Sequence, residues 1–283
     1  MKITMLGTGT SSGVPTLGCC CDVCTSPDAR DKRTRCSAMV ETASTRLLID
    51  CGPDFRQQMM GREFRRIDGI LVTHAHYDHV GGIDDVRPYC KFGDVDIYAD
   101  ACASASLRQA LPYCFAAEKY PNIPNICLTT IAPHVPLHIG DIDVMPIEIM
   151  HGRLPILGYR FGRFAYITDM KSIGDAELTY LTGTEVLVVN ALRFVKEHHS
   201  HQLVSDAVDF ARRVGARRTL LIHSSHHIGR HEEVNRQLPE GVEMAYDGQV
   251  PLPCGSGRPG RGPPGQDRRT VRLHQARHRL HLR

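Results

Sequence analysis

The chain has 283 residues, 42% of them hydrophobic, no tryptophan and a formal charge of +3, a composition that can bury a substantial core and predicts one large folded unit. The charge is unevenly held: residues 251–283 carry eight arginines against one aspartate, +7, leaving −4 on the rest, so the body has no general electrostatic pull on nucleic acid. No apolar run is long enough to span a bilayer and the first residues lack the apolar stretch of a leader, which predicts no membrane association and a reducing cytoplasm, with the eleven cysteines free or metal-bound.

Lys2 to Leu6 reads as a strand, followed by the tight loop Gly7-Thr8-Gly9-Thr10-Ser11-Ser12-Gly13. Its third glycine comes one position too late for a dinucleotide loop, and no Gly-Lys-Ser/Thr follows, so the loop is expected to line a site wall rather than cradle a nucleotide. Cys19, Cys21 and Cys24 come next; three thiolates this close supply most of a tetrahedral zinc shell and lack a fourth donor. Asp28 to Arg35 is charged and reads as a solvated connection. Ser37 to Thr42 and Thr45 to Asp50 predict a hairpin, and Phe55 to Met60 a short helix. Asp50, at a strand end, either orients a ligand histidine or caps that helix.

The apolar run Ile70-Leu71-Val72 reads as a buried strand that delivers Thr73-His74-Ala75-His76-Tyr77-Asp78-His79-Val80-Gly81-Gly82 to a sheet edge. His74 and His76, two apart, can grip one ion. Asp78 and His79, one turn further on, face a neighbouring position. Imidazole and carboxylate suit zinc, manganese or iron, and an incomplete protein shell leaves room for an activated water. Gly81 and Gly82 are expected to permit a tight backbone.

Further along, Asp94 to Ala99 predicts a strand, Ala101 to Leu111 a helix, and Pro112 to Pro124 an irregular loop over the site. Asp141 to Met150 is a strand ending at His151, either a third ligand or a turn residue. Ile156 to Phe161 and Phe164 to Thr168 are strands, the second ending at Asp169, whose carboxylate either bridges two ions or caps the segment near Gly174. Glu185 to Asn190 is a strand, and Gln202 to Val214 an amphipathic helix carrying Leu203, Ala207, Phe210, Ala211 and Val214 on one face. His201 stands at that helix's N-terminus, which lowers an imidazole pKa and suits proton transfer or phosphate contact; His198 and His199 read as solvated. Arg218 to Ile222 is the last core strand. The three-residue gap from His223 to His226 lets the first reach the catalytic metals and the second turn to the cysteines, completing Cys3His. Glu232 to Leu238 predicts a helix and Gly241 to Tyr246 a strand. From Pro251 the composition becomes Gly, Pro and Arg, so residues 1–250 are expected to form the domain and 251–283 a disordered tail.

The order His74-x-His76-x-Asp78-His79, then His151, Asp169 and His223, each after a strand, resembles the metallo-β-lactamase superfamily over nearly all of residues 1–250. The resemblance implies an α/β fold, an αββα sandwich of two mixed β-sheets flanked by helices with metals at one edge. Within it, Gly7 to Pro15, the cluster Cys19, Cys21 and Cys24, and His223 with His226 look most like the cyclic phosphodiesterases of the carbon–phosphorus lyase pathway, which act on phosphoribosyl 1,2-cyclic phosphate. By position, that likeness implies two divalent catalytic metals, zinc or manganese: one on His74, His76 and His151, the other on Asp78, His79 and His223, with Asp169 bridging and a hydroxide between the ions as nucleophile. It also implies a structural zinc on Cys19, Cys21, Cys24 and His226, and catalytic roles for His201 and for Asp169. Where those relatives have proline between two histidines, this chain has His199. The expected substrate is a small, cyclic phosphodiester, with a homodimer as the expected assembly. The alternatives are tRNA 3′-end processing, which needs a basic arm that the body lacks, and a non-hydrolytic role in cofactor biosynthesis such as the pyrroloquinoline quinone pathway.

Overall fold

The computed structural model describes residues 1–116 and 123–251. Two mixed sheets face each other. In chain order the first holds β1 (Lys2–Gly7), β2 (Ser37–Glu41), β3 (Arg46–Ile49), β4 (Gly69–Leu71), β5 (Val95–Ala99) and β6 (Ile126–Thr130), hydrogen-bonded in that same order. Its first three strands are antiparallel and the rest parallel. The second holds β7 (Leu137–Ile139), β8 (Ile142–His151), β9 (Leu154–Phe161), β10 (Phe164–Ile167), β11 (Val186–Asn190), β12 (Arg218–Ile222) and β13 (Val242–Met244), again side by side in chain order. Strands β7 to β10 are antiparallel, β10 to β13 parallel.

Three apolar layers follow from strand alternation. In β3, Leu47 and Ile49 point into the seam between the sheets, where they meet Tyr159, Tyr166, Val188 and Leu220. Leu48 points the other way, onto Phe55 and Met59 of α1 (Phe55–Met59) and Leu107 of α3 (Ala101–Ala110). In β11, Val188 faces the seam, while Leu187 and Val189 pack on Val204, Ala207 and Phe210 of α4 (Val204–Val214) and Val234 of α5 (His231–Gln237). Every residue of β3 and β11 is buried, as a strand covered on both faces requires. Helices therefore lie outside each sheet, giving the expected αββα sandwich.

Several elements differ from their sequence reading. Asp28 to Arg35 is not a solvated connection: Asp31 and Arg33 are 2% and 3% exposed. The Asp31 carboxylate accepts from Ser26 Oγ and from the His231 backbone N–H, and Arg33 donates to Thr8 Oγ1 and the Ala245 carbonyl. Near partners, Ser26 and Thr8, together with His231 and Ala245 about 200 residues away, thus satisfy charges that would otherwise be costly to bury. The edge strands β6 and β7 carry no strong apolar alternation and were not expected. Of the irregular stretch after α3, Cys114, Phe115 and Ile123 join the apolar layer outside the first sheet; residues 117–122 lie outside the described residues. So does the expected tail from residue 252 onward. Gly81 and Gly82 have ordinary backbone angles, φ −64 and −100. Glycine is needed there for space: a Cβ on Gly82 would collide with the Gly52 carbonyl, and one on Gly52 with that of Asp78.

Candidate metal centre

The strand ends set the geometry. Strand β4 runs into Val72 and Thr73 and releases His74, His76 and the one-turn helix α2 (Tyr77–Val80), which carries Asp78 and His79. Strand β8 ends on His151, β10 just before Asp169, and β12 just before His223. Asp50, Asp169 and His223 each follow a strand with φ of 61, 57 and 53. For residues other than glycine this left-handed backbone costs free energy, and at three strand ends around one cluster it turns the chain sharply enough to aim the side chain across the edge.

Two donor groups result. The ligand atoms of His74, His76 and His151 lie within 4.8 Å of one another, as do those of Asp78, His79, Asp169 and His223. Asp169 Oδ2 stands between the groups: it is 3.4 Å from His79 Nε2, 3.3 Å from His223 Nε2 and 3.8 Å from His74 Nε2. Asp78 Oδ2 is 3.2 Å from His79 Nε2 and 3.6 Å from His223 Nε2. His201 approaches from the loop before α4, its Nε2 3.4 Å from Asp169 Oδ2. His151, Asp169 and His201 form a further group of donor atoms within 4.8 Å, a proximity the sequence did not signal.

Neighbours fix the tautomers. Asp50 Oδ2 accepts from His79 Nδ1 at 2.7 Å and is itself held by Thr73, whose backbone N–H and hydroxyl both donate to the Asp50 carboxylate. The carbonyls of Asp169 and Ser200, 2.7 and 3.0 Å from His151 Nδ1, place its proton there and leave Nε2 free. Of the two roles open to Asp50, orientation of a histidine is the one its hydrogen bonds serve; the cap position of α1 belongs to Asp54. Asp169 likewise caps nothing. Asn190 secures the turn after it, accepting from the Met170 N–H and donating to the Met170 carbonyl. Thr73 and Asn190 escaped the sequence reading, because a hydroxyl or amide beside a strand end has no spacing that marks it.

The electrostatics are those of a cation site. Burial alone would raise Asp169 and Asp78, yet the adjoining His223 and His79 hold both well below the usual carboxylate range. Burial pushes His74 down, and His201 to about 4; the lowering expected for His201 is thus mainly a matter of dry surroundings, and α4 begins only at Val204. His79 Nε2 and both ring nitrogens of His223 are buried without a hydrogen-bond partner. Such orphans are rare, and a divalent cation would satisfy Nε2 of both histidines, the nitrogens that face Asp78 and Asp169, so the residues present fit the expected metals.

The cysteine cluster lies beside this edge. His226 Nδ1 is 3.3 Å from both Cys19 Sγ and Cys21 Sγ, and the donor atoms of Cys19, Cys21, Cys24 and His226 lie within 4.8 Å. A hydrogen bond from the Cys24 backbone, then His226, brings Cys21 down to about 6, whereas burial pushes Cys24 up to about 11. This is the tetrahedral donor set that zinc takes.

A family model described as the beta-lactamase superfamily domain matches residues 45–224. The chain belongs to this superfamily. A protein solved as a new diphosphatase from the PhnP family is 38% identical, with a TM-score of 0.81, covering 88% of this chain and 96% of that one. An octanoyltransferase from Porphyromonas gingivalis is 45% identical over 88% of this chain; the chain spans about half of that relative, 51% of its length. A coenzyme PQQ synthesis protein B from Methylobacterium radiotolerans is 28% identical over 66% of this chain and 72% of its own length. Superfamily membership and the donor clusters together support a metal-dependent hydrolase. Among the described residues, no helix is long and apolar enough to cross a membrane.

Proposed function

We propose that the chain is a metal-dependent phosphodiesterase acting on a small, cyclic phosphodiester. The observation that carries this reading is the position of Asp169 Oδ2, within 3.8 Å of ring nitrogens from both donor groups. In this reading His74, His76 and His151 hold one cation, Asp78, His79 and His223 a second, and Asp169 serves both. Two divalent cations, when bound, lower the pKa of a water between them and neutralise the phosphoryl oxygens. The chain's own residues do the rest. Asp50 keeps the His79 proton on Nδ1, and the carbonyls of Asp169 and Ser200 do the same for His151. His201, beside Asp169, supplies an N–H to a phosphoryl oxygen or to the leaving oxygen. Cys19, Cys21, Cys24 and His226 hold a structural zinc that pins the N-terminal loop to the segment after β12. Likeness to the PhnP-family diphosphatase supports phosphorus chemistry.

The test is hydrolysis by purified protein supplied with manganese or zinc. The substrates are bis(p-nitrophenyl) phosphate, 2′,3′-cyclic nucleotides, a β-lactam and precursor tRNA. Turnover of the first two is expected; cleavage of the lactam alone, or of tRNA alone, removes the proposal.

A further inference from the structure

His198, which the sequence reads as solvated, is half-buried and tied to His201. Its Nδ1 lies 3.0 Å from His201 Nδ1, and the Ser200 hydroxyl is 3.2 Å from both nitrogens. Two ring nitrogens this close share a single proton, since neither two lone pairs nor two N–H groups face each other stably at that distance. The Ser200 backbone N–H, which can only donate, stands 3.4 Å from His198 Nδ1. His198 Nδ1 is therefore the acceptor, and the shared proton belongs to His201 Nδ1. The opposite nitrogen of His201, Nε2, faces Asp169 Oδ2 at 3.4 Å.

Ring contacts alone do not choose that orientation. His201 stacks on His223, with centroids 4.6 Å apart and 15° between the planes, and meets His151 edge-on at 4.8 Å and 72°. A half-turn about the Cβ–Cγ bond would keep the plane and put a carbon, Cε1, where Nε2 now faces the site. The hydrogen bond to His198 separates the two states. Its own support is rigid: Ser200 is buried, and its carbonyl accepts from His151 Nδ1 at 3.0 Å, so the loop carrying the pair is anchored on a candidate metal ligand.

We propose that His198 is a positioning residue that acts through His201: by accepting from the Nδ1–H it holds the ring with Nε2 toward the reacting oxygens. The inference rests on the phosphodiesterase reading, in which His201 supplies an N–H to a phosphoryl or leaving oxygen. The oxygen of water bonds to phosphorus, the P–O bond to the leaving group breaks, and the proton that water gives up passes by way of Nε2 to the leaving oxygen. The Nδ1–H bond to His198 is the same before and after Nε2 carries that proton, so the ring keeps its orientation throughout.

The experiment compares wild type with His198→Ala, His198→Asn, His201→Ala and the double variant His198→Ala/His201→Ala. Each is loaded with zinc and assayed on whichever of bis(p-nitrophenyl) phosphate and adenosine 2′,3′-cyclic phosphate the wild type turns over. In His198→Ala, kcat is expected to fall about tenfold, the worth of one hydrogen bond, with KM within about twofold and metal content by elemental analysis unchanged. His198→Asn, whose carboxamide oxygen can accept from the same N–H, should recover most of the loss. Adding His198→Ala to His201→Ala should cost less than about twofold more, because the first residue acts only through the second. Nitrogen NMR of the zinc-loaded wild type should find the His201 proton on Nδ1. A kcat within about twofold of wild type in His198→Ala overturns the proposal, as do losses that multiply in the double variant or a fall in metal content. Absence of turnover by wild type instead faults the phosphodiesterase reading. The pairing is then decided by NMR, which overturns it if His201 Nδ1 carries no proton.

Discussion

At the residue scale, the centre depends on groups that never touch a substrate. Asp50 is 0% exposed and binds the far side of His79, so Asp50→Ala should weaken metal binding by roughly 10–100-fold, read by competition with a chelating dye. His201→Ala is expected to lower kcat by about 100-fold or more with metal content by elemental analysis unchanged; loss of both would assign His201 to the metal. His231 offers a pH test away from the metals. Burial, then Arg33, depresses it from 6.5 to about 4. The folded state therefore refuses a proton that the unfolded chain accepts below about 6.5. The stability that His231 contributes is complete above that pH and drains away as pH falls toward about 4. Urea titrations of chelated protein across this window should show the loss, and His231→Asn should flatten it. Sequence legibility at this scale followed density. His74, His76, Asp78 and His79 are conspicuous because four donors crowd six positions, whereas Arg33 and Asp31 read as solvated because His231 and Ala245, which complete their burial, are about 200 residues away.

At the element scale, strands with both faces buried were the most legible, since Leu47 to Ile49 and Val186 to Val189 admit no other environment. The short edge strands β6 and β7 were not. In β6, Cys127, Thr129 and Thr130 are exposed and only Ile126 is fully buried, too little apolar pattern to mark a strand. Asp50, Asp169 and His223 could be seen to end strands, but not to turn left-handed there, because Asp and His tolerate that conformation better than most residues without requiring it. The segment from His223 to Ser225 links the two metal-binding regions. Ser224 donates its N–H to the Thr8 carbonyl and its hydroxyl to that of Ala191, so the spacing of His223 and His226 is held from both sides. Cys24→Ser should remove about one zinc per chain by elemental analysis and leave the other metals bound. A variant that loses all of them at once would show that the cysteine knuckle scaffolds the catalytic edge itself.

At the scale of the whole molecule, the fold was legible through the order of its motifs, and the packing of its two halves was not. The first sheet uses residues up to Thr130, the second only residues from Leu137 on. Three of the donor clusters cross between them: His151 joins His74 and His76, Asp169 and His223 join Asp78 and His79, and His226 joins the cysteines. Cations bound there stabilise the docked sandwich over the separated halves. At free metal about a hundredfold above its Kd, each site adds about 2.7 kcal/mol, or roughly 5–10 °C in Tm for a chain of this size. Calorimetry before and after chelation should record at least that drop; an unchanged Tm would mean that the clusters hold no ion in solution.

Because no cluster is complete within the first half, a ribosome that has released only the first 130 residues exposes histidines and thiols that cannot yet retain a cation firmly. Metal capture becomes a late event in the life of the nascent polypeptide. The donors of the proposed reactive centre are complete only once biosynthesis has passed His223, and the cysteine cluster only after His226.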